Sequence, residues 1–333
     1  MSTLINAGFG LLRALKTCLK QTSEPRLVLA LQQMVEEMEA GKSLSDAINN
    51  TNGVFTTFHV NMFKAAEASG KLPLILSRLS EYEEKEMELS HKLKAATNYP
   101  LFIFIVSLLV IIFLIRFLYP LLTTLTDVLK GELPWPTRII LFISNMLSSP
   151  YFYIGIILAG IAFHFGYRKM VSTRKGRYFI DKHKLKLPFY GKMQKKVIII
   201  RTCRIMETLL NSGIPIHRTL ELTGEIADNF YYKNRIMEAI AYKVEEGEPV
   251  NKAFKDSTYF PQLVISMINI GEETGSLPKM LNRLSLIYDF EVNNAMATFY
   301  SALEPLLIII MGLITLLILT SAFLPIYKVI GNM

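Results

Sequence analysis

The strongest constraint on this chain is that part of it occurs twice. Glu67-Ala68-Ser69-Gly70-Lys71-Leu72-Pro73 returns 205 residues later as Glu272-Glu273-Thr274-Gly275-Ser276-Leu277-Pro278, with Glu, Gly, Leu and Pro unchanged. The same offset pairs Phe55 with Phe260, Met62 with Met267, Leu76 with Leu281, and Arg78-Leu79-Ser80 with Arg283-Leu284-Ser285. It continues through Glu86 and Glu291, Pro100 and Pro305, and Pro120 and Pro325. Upstream, Asn6, Gly8, Arg13 and Leu15 pair with Asn211, Gly213, Arg218 and Leu220. Gly41 and Ala47 pair with Gly247 and Ala253 at an offset of 206, so one residue is inserted in between. A register held over such a length marks a duplicated unit, one folded module used twice.

Each copy reads as helical. Leu27, Leu31, Met34, Val35 and Met38 share one face of a helix over about 24–40, with Glu36, Glu37 and Glu39 mostly off it. Gly41 ends that helix, and Ser43 caps a short one through Ile48. Gly70 stops a helix over 56–68, and a long helix starts at Leu72. Its Leu72, Ile75, Leu79, Tyr82, Glu86, Leu89 and Leu93 have heptad-like spacing. That face is either buried in the bundle or a seam with another subunit, and Glu86 interrupts it in both cases. The second copy is expected to have helices over 195–210, 216–226, 229–244, 250–255 and 261–273, and a long one from Leu277. The helix 195–210 has no counterpart, because subtracting 205 places it before residue 1. The first copy then packs with fewer helices, or another element covers that face.

Half of the chain is hydrophobic while 19% is charged, the balance that polar modules alternating with apolar spans produce. From Pro100 to Pro120 the only charge is Arg116. A helix of that length reaches about 31 Å, the thickness of a hydrocarbon core. A second span fits Tyr151–Tyr167, and a third fits Ser301–Tyr327 with Glu304 at its entrance. Ile139–Leu147 is apolar but too short to cross. Arg168–Arg204 carries 13 Lys or Arg against one acid, Asp181, whereas 121–150 carries only Lys130 and Arg138, balanced by Asp127 and Glu132. The positive-inside rule puts the basic segment in the cytoplasm and 121–150 outside. The net charge of +8 is thus a membrane-surface signal and not a nucleic-acid one. Cys18 and Cys203 lie in helical, polar contexts, suggest no disulfide framework, and fit a reducing compartment. No basic, apolar and cleavable start is visible, so no signal peptide is expected.

The expected fold is an all-α membrane protein with two repeated cytoplasmic helical bundles and three transmembrane helices. The first bundle covers 1–98 and lacks its first helix. The spans cover 99–122, 151–167 and 304–327. The loop 123–150 and the tail 328–333 are outside, and 168–303 holds the basic segment and the second bundle.

No catalytic, cofactor or metal constellation is apparent. Gly41-Lys42-Ser43 looks like the end of a phosphate loop, but Glu36 stands where the first glycine is needed, and no strand precedes it. Gly8-Phe9-Gly10 lacks the strand and third glycine of a dinucleotide turn. Five scattered histidines have no ligand spacing. The remaining candidates are partner-binding residues: Glu67, Gly70, Glu272, Gly275, Arg116 and Glu304. Gly70 and Gly275 read as helix-stop glycines. A carboxylate three residues before such a stop opposes the helix dipole. Its occurrence twice calls for a defined partner, either a module arginine such as Arg78 and Arg283, or a partner protein or cation. Arg116 either snorkels to headgroups or faces a partner helix.

Glu-x-x-Gly-x-Leu twice, Tyr99-Pro100 and Glu304-Pro305 at span entrances, Leu187-Pro188-Phe189-Tyr190-Gly191-Lys192, and then Leu209-Leu210-Asn211-Ser212-Gly213-Ile214-Pro215 carry a resemblance. In this order, over nearly the whole chain, they resemble the type II secretion F family. The resemblance implies six-helix cytoplasmic bundles and a non-enzymatic, multi-pass platform in the bacterial inner membrane, with its N-terminus cytoplasmic and the outer loop periplasmic. It implies as partners a hexameric cytoplasmic assembly ATPase, pilin or pseudopilin subunits, other inner-membrane assembly proteins and membrane lipids. The short N-terminus favours a compact pilus-type member. Metal ions known from some family modules are not carried over, because no ligand cluster matches. The heptad-like helix permits a homodimer. A membrane-anchored signalling or regulatory scaffold is the competing reading.

Overall fold

The computed structural model describes residues 1–51, 53–128, 134–185, 187, 190–226 and 229–331, and every regular element among them is helical. Residues 129–133 of the expected outer loop, Pro188-Phe189 of the quoted motif, and 332–333 of the tail lie outside the described residues. The first copy forms α1 (Ser2–Asn6), α2 (Leu11–Gln21), α3 (Pro25–Glu39), α4 (Leu44–Asn49), α5 (Thr57–Ser69) and the long α6 (Leu72–Val128). Then come α7 (Trp135–Ser148), α8 (Pro150–Ser172) and α9 (Arg174–Lys184). The second copy forms α10 (Tyr190–Asn211), α11 (Ile216–Ile226), α12 (Phe230–Tyr232), a π turn (Lys233–Met237), α13 (Glu238–Glu245), α14 (Val250–Asp256), α15 (Gln262–Glu273) and α16 (Leu277–Gly331).

Two compact units result. Met1–Ser90 with Arg174–Asn293 form one, and His91–Thr173 with Asn294–Met333 form the other. In the first unit both copies share a core. Leu15, Met34, Leu44, Phe58, Met62 and Ile75 of the first copy cluster with Ile205, Leu209 and Leu222 of the second. α10 and α11 thus pack against the first copy.

α10 starts five residues before its expected position and is largely buried from Val197 onward. Val197, Ile198, Ile199 and Ile200 are consecutive and all buried, and at 100° per residue they span most of the helix circumference. A helix that is apolar all round belongs in the interior. Each fully buried aliphatic side chain, such as Ile200 or Leu209, contributes about 1.5–3 kcal/mol. Cys203 lies in this core, which corrects the polar context expected for it; burial pushes its thiol up to about 12. The heptad-like face of α6 is also spent inside the unit, since Ile75, Leu79, Tyr82 and Leu89 are buried there.

The inserted residue of the second copy also has a structural location. α2 and α11 have equal lengths, and α3 and α12 start at the same offset of 205. From Ile236 in the π turn onward, Ile236, Met237, Ile240 and Ala241 occupy buried positions matching Ala30, Leu31, Met34 and Val35 at 206. The extra residue is absorbed between them, within the π turn, which is the usual way a helix accommodates an insertion.

In the second unit, Ile115 of α6, Ile140 of α7 and Ile318 of α16 form a small core, and the Thr137 hydroxyl donates to the Ser321 carbonyl at 2.9 Å. Around it, large apolar side chains face outward: Phe113, Phe117, Ile157, Leu158, Ile161, Phe165, Leu313 and Leu316 are all exposed. An apolar surface of that extent suits lipid and not water. α8 (mean hydropathy 1.3) and a stretch within Leu277–Leu324 (mean hydropathy 2.7) are long and apolar enough to cross a membrane. Among the described residues, α6 contributes the shorter apolar stretch Leu101–Phe117.

Gly191 marks the tightest backbone approach. A Cβ built there would lie 2.4 Å from the Leu185 carbonyl oxygen, whereas one at Gly155 of α8 meets open space. Gly191→Ala should cost about 1–3 kcal/mol through overpacking, seen as a lower melting temperature of the detergent-solubilised protein. Gly155→Ala should leave that temperature unchanged or raise it.

Candidate functional site

The repeated glutamates act alike, and neither takes an arginine as its partner. Glu67, near the end of α5, accepts from the backbone N–H of Leu44 (2.6 Å) and of Ser45 (3.2 Å), and from the Ser45 hydroxyl (2.5 Å). Glu272, at the equivalent place on α15, accepts from the N–H of Val250 (2.7 Å) and of Asn251 (3.0 Å). Each carboxylate thus caps the N-terminus of the short helix before it, α4 or α14. Those first N–H groups have no partner within their own helix, and the dipole there favours negative charge. The unfavourable position at one helix end is offset by the favourable one at another. Gly70 (φ +67°) and Gly275 (φ +64°) then stop α5 and α15 in the left-handed region, with open space where a Cβ would be, so conformation and not packing requires glycine. The expected pairing with Arg78 and Arg283 is replaced by these backbone donors.

A second arrangement joins the two long helices. Glu86 of α6 and Glu291 of α16 are equivalent in the repeat, and both are held by α10. Arg201 meets Glu86 at 2.5 Å, and Lys196 meets Glu291 at 2.8 Å. Arg204, with its side chain only 8% exposed, donates to the Lys85 carbonyl on α6 (2.9 Å) and reaches Asp289 on α16 (3.4 Å). Asn282 of α16 donates to Glu207 of α10 at 2.8 Å. Glu86, which breaks the apolar seam in the sequence, is one half of this clamp. Of the residues counted above within the basic segment, Arg204 is buried and Arg201 half-buried, and both pair inside the first unit.

The clamp is only partly satisfied. Arg78 Nη1, Glu86 Oε2, Arg201 Nε and Arg204 Nε are buried without a hydrogen-bond partner. Such atoms carry a desolvation cost that a fully paired network avoids. Burial also holds the Glu207 carboxyl above its ordinary 4.5, opposed by the hydrogen bond from Asn282.

The two span candidates are placed separately. Arg116 is exposed on α6 and has no ion-pair partner among the described residues. Glu304 lies within α16, and its side chain is outside the described residues. Among the described residues, no group of three His, Cys, Asp or Glu could hold a metal ion. The arginines of α10 were missed because they follow a basic juxtamembrane run. The available signal was the recurrence of Glu86 as Glu291 beside an otherwise apolar helix.

These features define a class: an all-α protein whose sequence carries one stretch twice and which has apolar helices of membrane-crossing length. Within it, the chain belongs to the family "Type II secretion system (T2SS), protein F", whose model matches residues 1–120 and 202–325, the two copies. It is similar to "Type IV pilus assembly protein PilC" of Thermus thermophilus, at 35% identity over all of this chain and 81% of that protein. The protein of that name from Myxococcus xanthus is 31% identical over 99% of this chain and 78% of its own length. "Type II secretion system protein F" of Aeromonas hydrophila is 28% identical over 100% of this chain and 85% of its own length.

α14 begins after Pro249 with no local side-chain cap, whereas α4 has the Ser43 hydroxyl as well. Glu272→Ala should therefore destabilise by about 2–3 kcal/mol and Glu67→Ala by roughly 1 kcal/mol, in chemical denaturation of the solubilised protein. An equal loss in both would sink this account of the caps. Glu207 adds a pH dependence. Its folded pKa is raised, so the folded state holds the proton more tightly; that contribution is present below pH 4.5 and is lost as pH rises through the folded value. Glu207→Gln should raise the melting temperature at neutral pH and flatten its fall just above pH 4.5.

Proposed function

We propose that this chain is the inner-membrane platform of a type IV pilus or type II secretion assembly machine, with the pilus role favoured. The observation that carries this reading is full-length similarity to two type IV pilus assembly proteins at 35% and 31% identity. In this reading the first unit is cytoplasmic, as the basic segment after α8 supports. The spans 99–122, 151–167 and 304–327 cross the membrane, and a cytoplasmic assembly ATPase acts on the first unit. Pilin or pseudopilin subunits meet the apolar helices. The role is mechanical and not enzymatic: it needs surfaces and stiff connections, and no reacting group.

The clamp supports a physical account of coupling. α6 and α16 both start in the first unit, and α10 grips the same repeat position on each through Arg201 and Lys196. A load on α10 then reaches both long helices. A half-buried network of charges with unpartnered buried atoms gives up little stability on rearranging, which suits an element with two arrangements. Glu67 and Glu272 are committed to internal caps, so their part in partner binding is indirect, by holding α4 and α14 in place. Gly70 and Gly275 set the turn between each cap and its long helix. Arg116 and Glu304 remain the proposed contacts for helices of membrane partners.

The test is complementation of a strain lacking this gene. Arg201→Glu places two acids together and should abolish filaments, while an immunoblot still finds the protein in the membrane. Glu86→Arg combined with Arg201→Glu should restore them in large part. Normal filaments with Arg201→Glu alone would remove the clamp from the account, and normal filaments without the gene would remove the platform role.

A further inference from the structure

A cavity of about 590 Å³ opens on the second copy between α9, α10, the π turn with α13, and the end of α14. Its size lies in the range of about 300–1,000 Å³ typical of small-ligand sites. Lys182, Lys195, Arg235 and Lys243 line it with Tyr231 and Tyr259. Among the described residues, Asp256 is the one carboxylate in the lining, and Lys243 already holds it at 2.5 Å. Among the described residues, Lys182, Lys195 and Arg235 have no carboxylate partner. The two lysines instead lie over aromatic faces, Lys182 at 5.9 Å from the Tyr231 ring and Lys195 at 5.8 Å from that of Tyr259. Cations gathered around one hollow repel one another, and ring faces compensate only weakly. The Tyr259 hydroxyl is a buried donor left without a partner.

Comparison with the first copy shows that these features are additions. Lys182 and Lys195 lie ahead of the part that the first copy repeats. Within the π turn, at the offset of 206, Arg235 stands where the first copy has the exposed Leu29. Lys243 and Asp256 replace the hydrogen-bonded pair Glu37 and Asn50, at the same spacing of 13 residues. By the register that pairs Phe260 with Phe55, Thr258 stands where the first copy has Gly53. Both take positive φ, +52° and +78°, but for a β-branched residue that is a strained conformation. A π turn, a strained threonine and an exchange of acid for base thus meet at one cavity. Local strain of this kind gathers at ligand sites.

We propose that this cavity binds a phosphate-bearing anion, supplied either by the headgroup of an anionic phospholipid or by a soluble phosphorylated molecule. Phosphate matches the set, because lysines meet it as point charges and an arginine fork meets two of its oxygens. The cavity exceeds what a lone carboxylate needs. Lys182 follows the end of α8 by ten residues, which makes a headgroup one natural source.

The test uses the full chain in phosphatidylcholine nanodiscs. In one arm inorganic pyrophosphate is titrated by calorimetry. In the other, phosphatidylglycerol is added to the disc lipid and its retention is read by native mass spectrometry. The expected result is binding in at least one arm that Lys195→Gln with Arg235→Gln weakens about tenfold or more. Lys20→Gln, exposed on α2, should leave it within about twofold. Dependence only in the phosphatidylglycerol arm identifies a headgroup, and dependence only in the pyrophosphate arm a soluble ligand. Arg235 is exposed, so Arg235→Gln alone, with a loss of roughly threefold, serves if the double variant does not fold. Binding unchanged by these substitutions, or no binding in either arm, overturns the proposal.

Discussion

The first unit depends on one buried helix. α10 has apolar residues on every side, so both copies of the module can share it as a core element. It also carries Arg204 into that interior and Arg201 to its edge, where charge is tolerated only with partners. The partners come from both long helices, and the two salt-bridged glutamates, Glu86 and Glu291, are the same repeat position used twice. Register is therefore specified at this point by charge as well as by shape. Replacing such pairs with apolar residues often leaves stability intact, so what the pairs provide is a defined position for α6 against α16.

The duplicated stretch has a plain physical role. Each copy folds a helix, stops it at a left-handed glycine, and sends the carboxylate from its last turn to cap a neighbouring helix. The residue that looks misplaced on its own helix is well placed on the next one. Neither half of the device works alone, since without the glycine stop the chain would not turn into the long helix that follows.

Much of this architecture was legible in the sequence. Helical periodicity and stop signals located α3, α5 and α11 to within a residue or two, because those faces are simply amphipathic. The repeat register identified the equivalent positions before their geometry was known. The partners of Glu67 and Glu272 were not legible, because a backbone N–H carries no side-chain signature and the capped helix lies over twenty residues away. Arg201 and Arg204 were hidden by their neighbours: a juxtamembrane basic run and a buried ion pair use the same letters. Cys203 was misplaced for the same reason, since Arg201, Arg204 and Glu207 made its surroundings look polar. The cavity on the second copy was not legible either, because its lining comes from α9, α10, α13 and α14, which only the fold brings together.

The π turn has a consequence for how such a chain can change. Upstream of Lys233 the copies are in step at an offset of 205, and from the π turn to Asp256 at 206, before 205 resumes at Phe260. A genetic exchange between copies that crossed this helix at the upstream offset would drop or add a residue without its bulge. Every following side chain would turn by about 100°, carrying Glu or Lys toward the core and Met or Ile toward water. The bulge is therefore a barrier to recombination between the halves, and once in place it leaves each copy free to drift toward its own use.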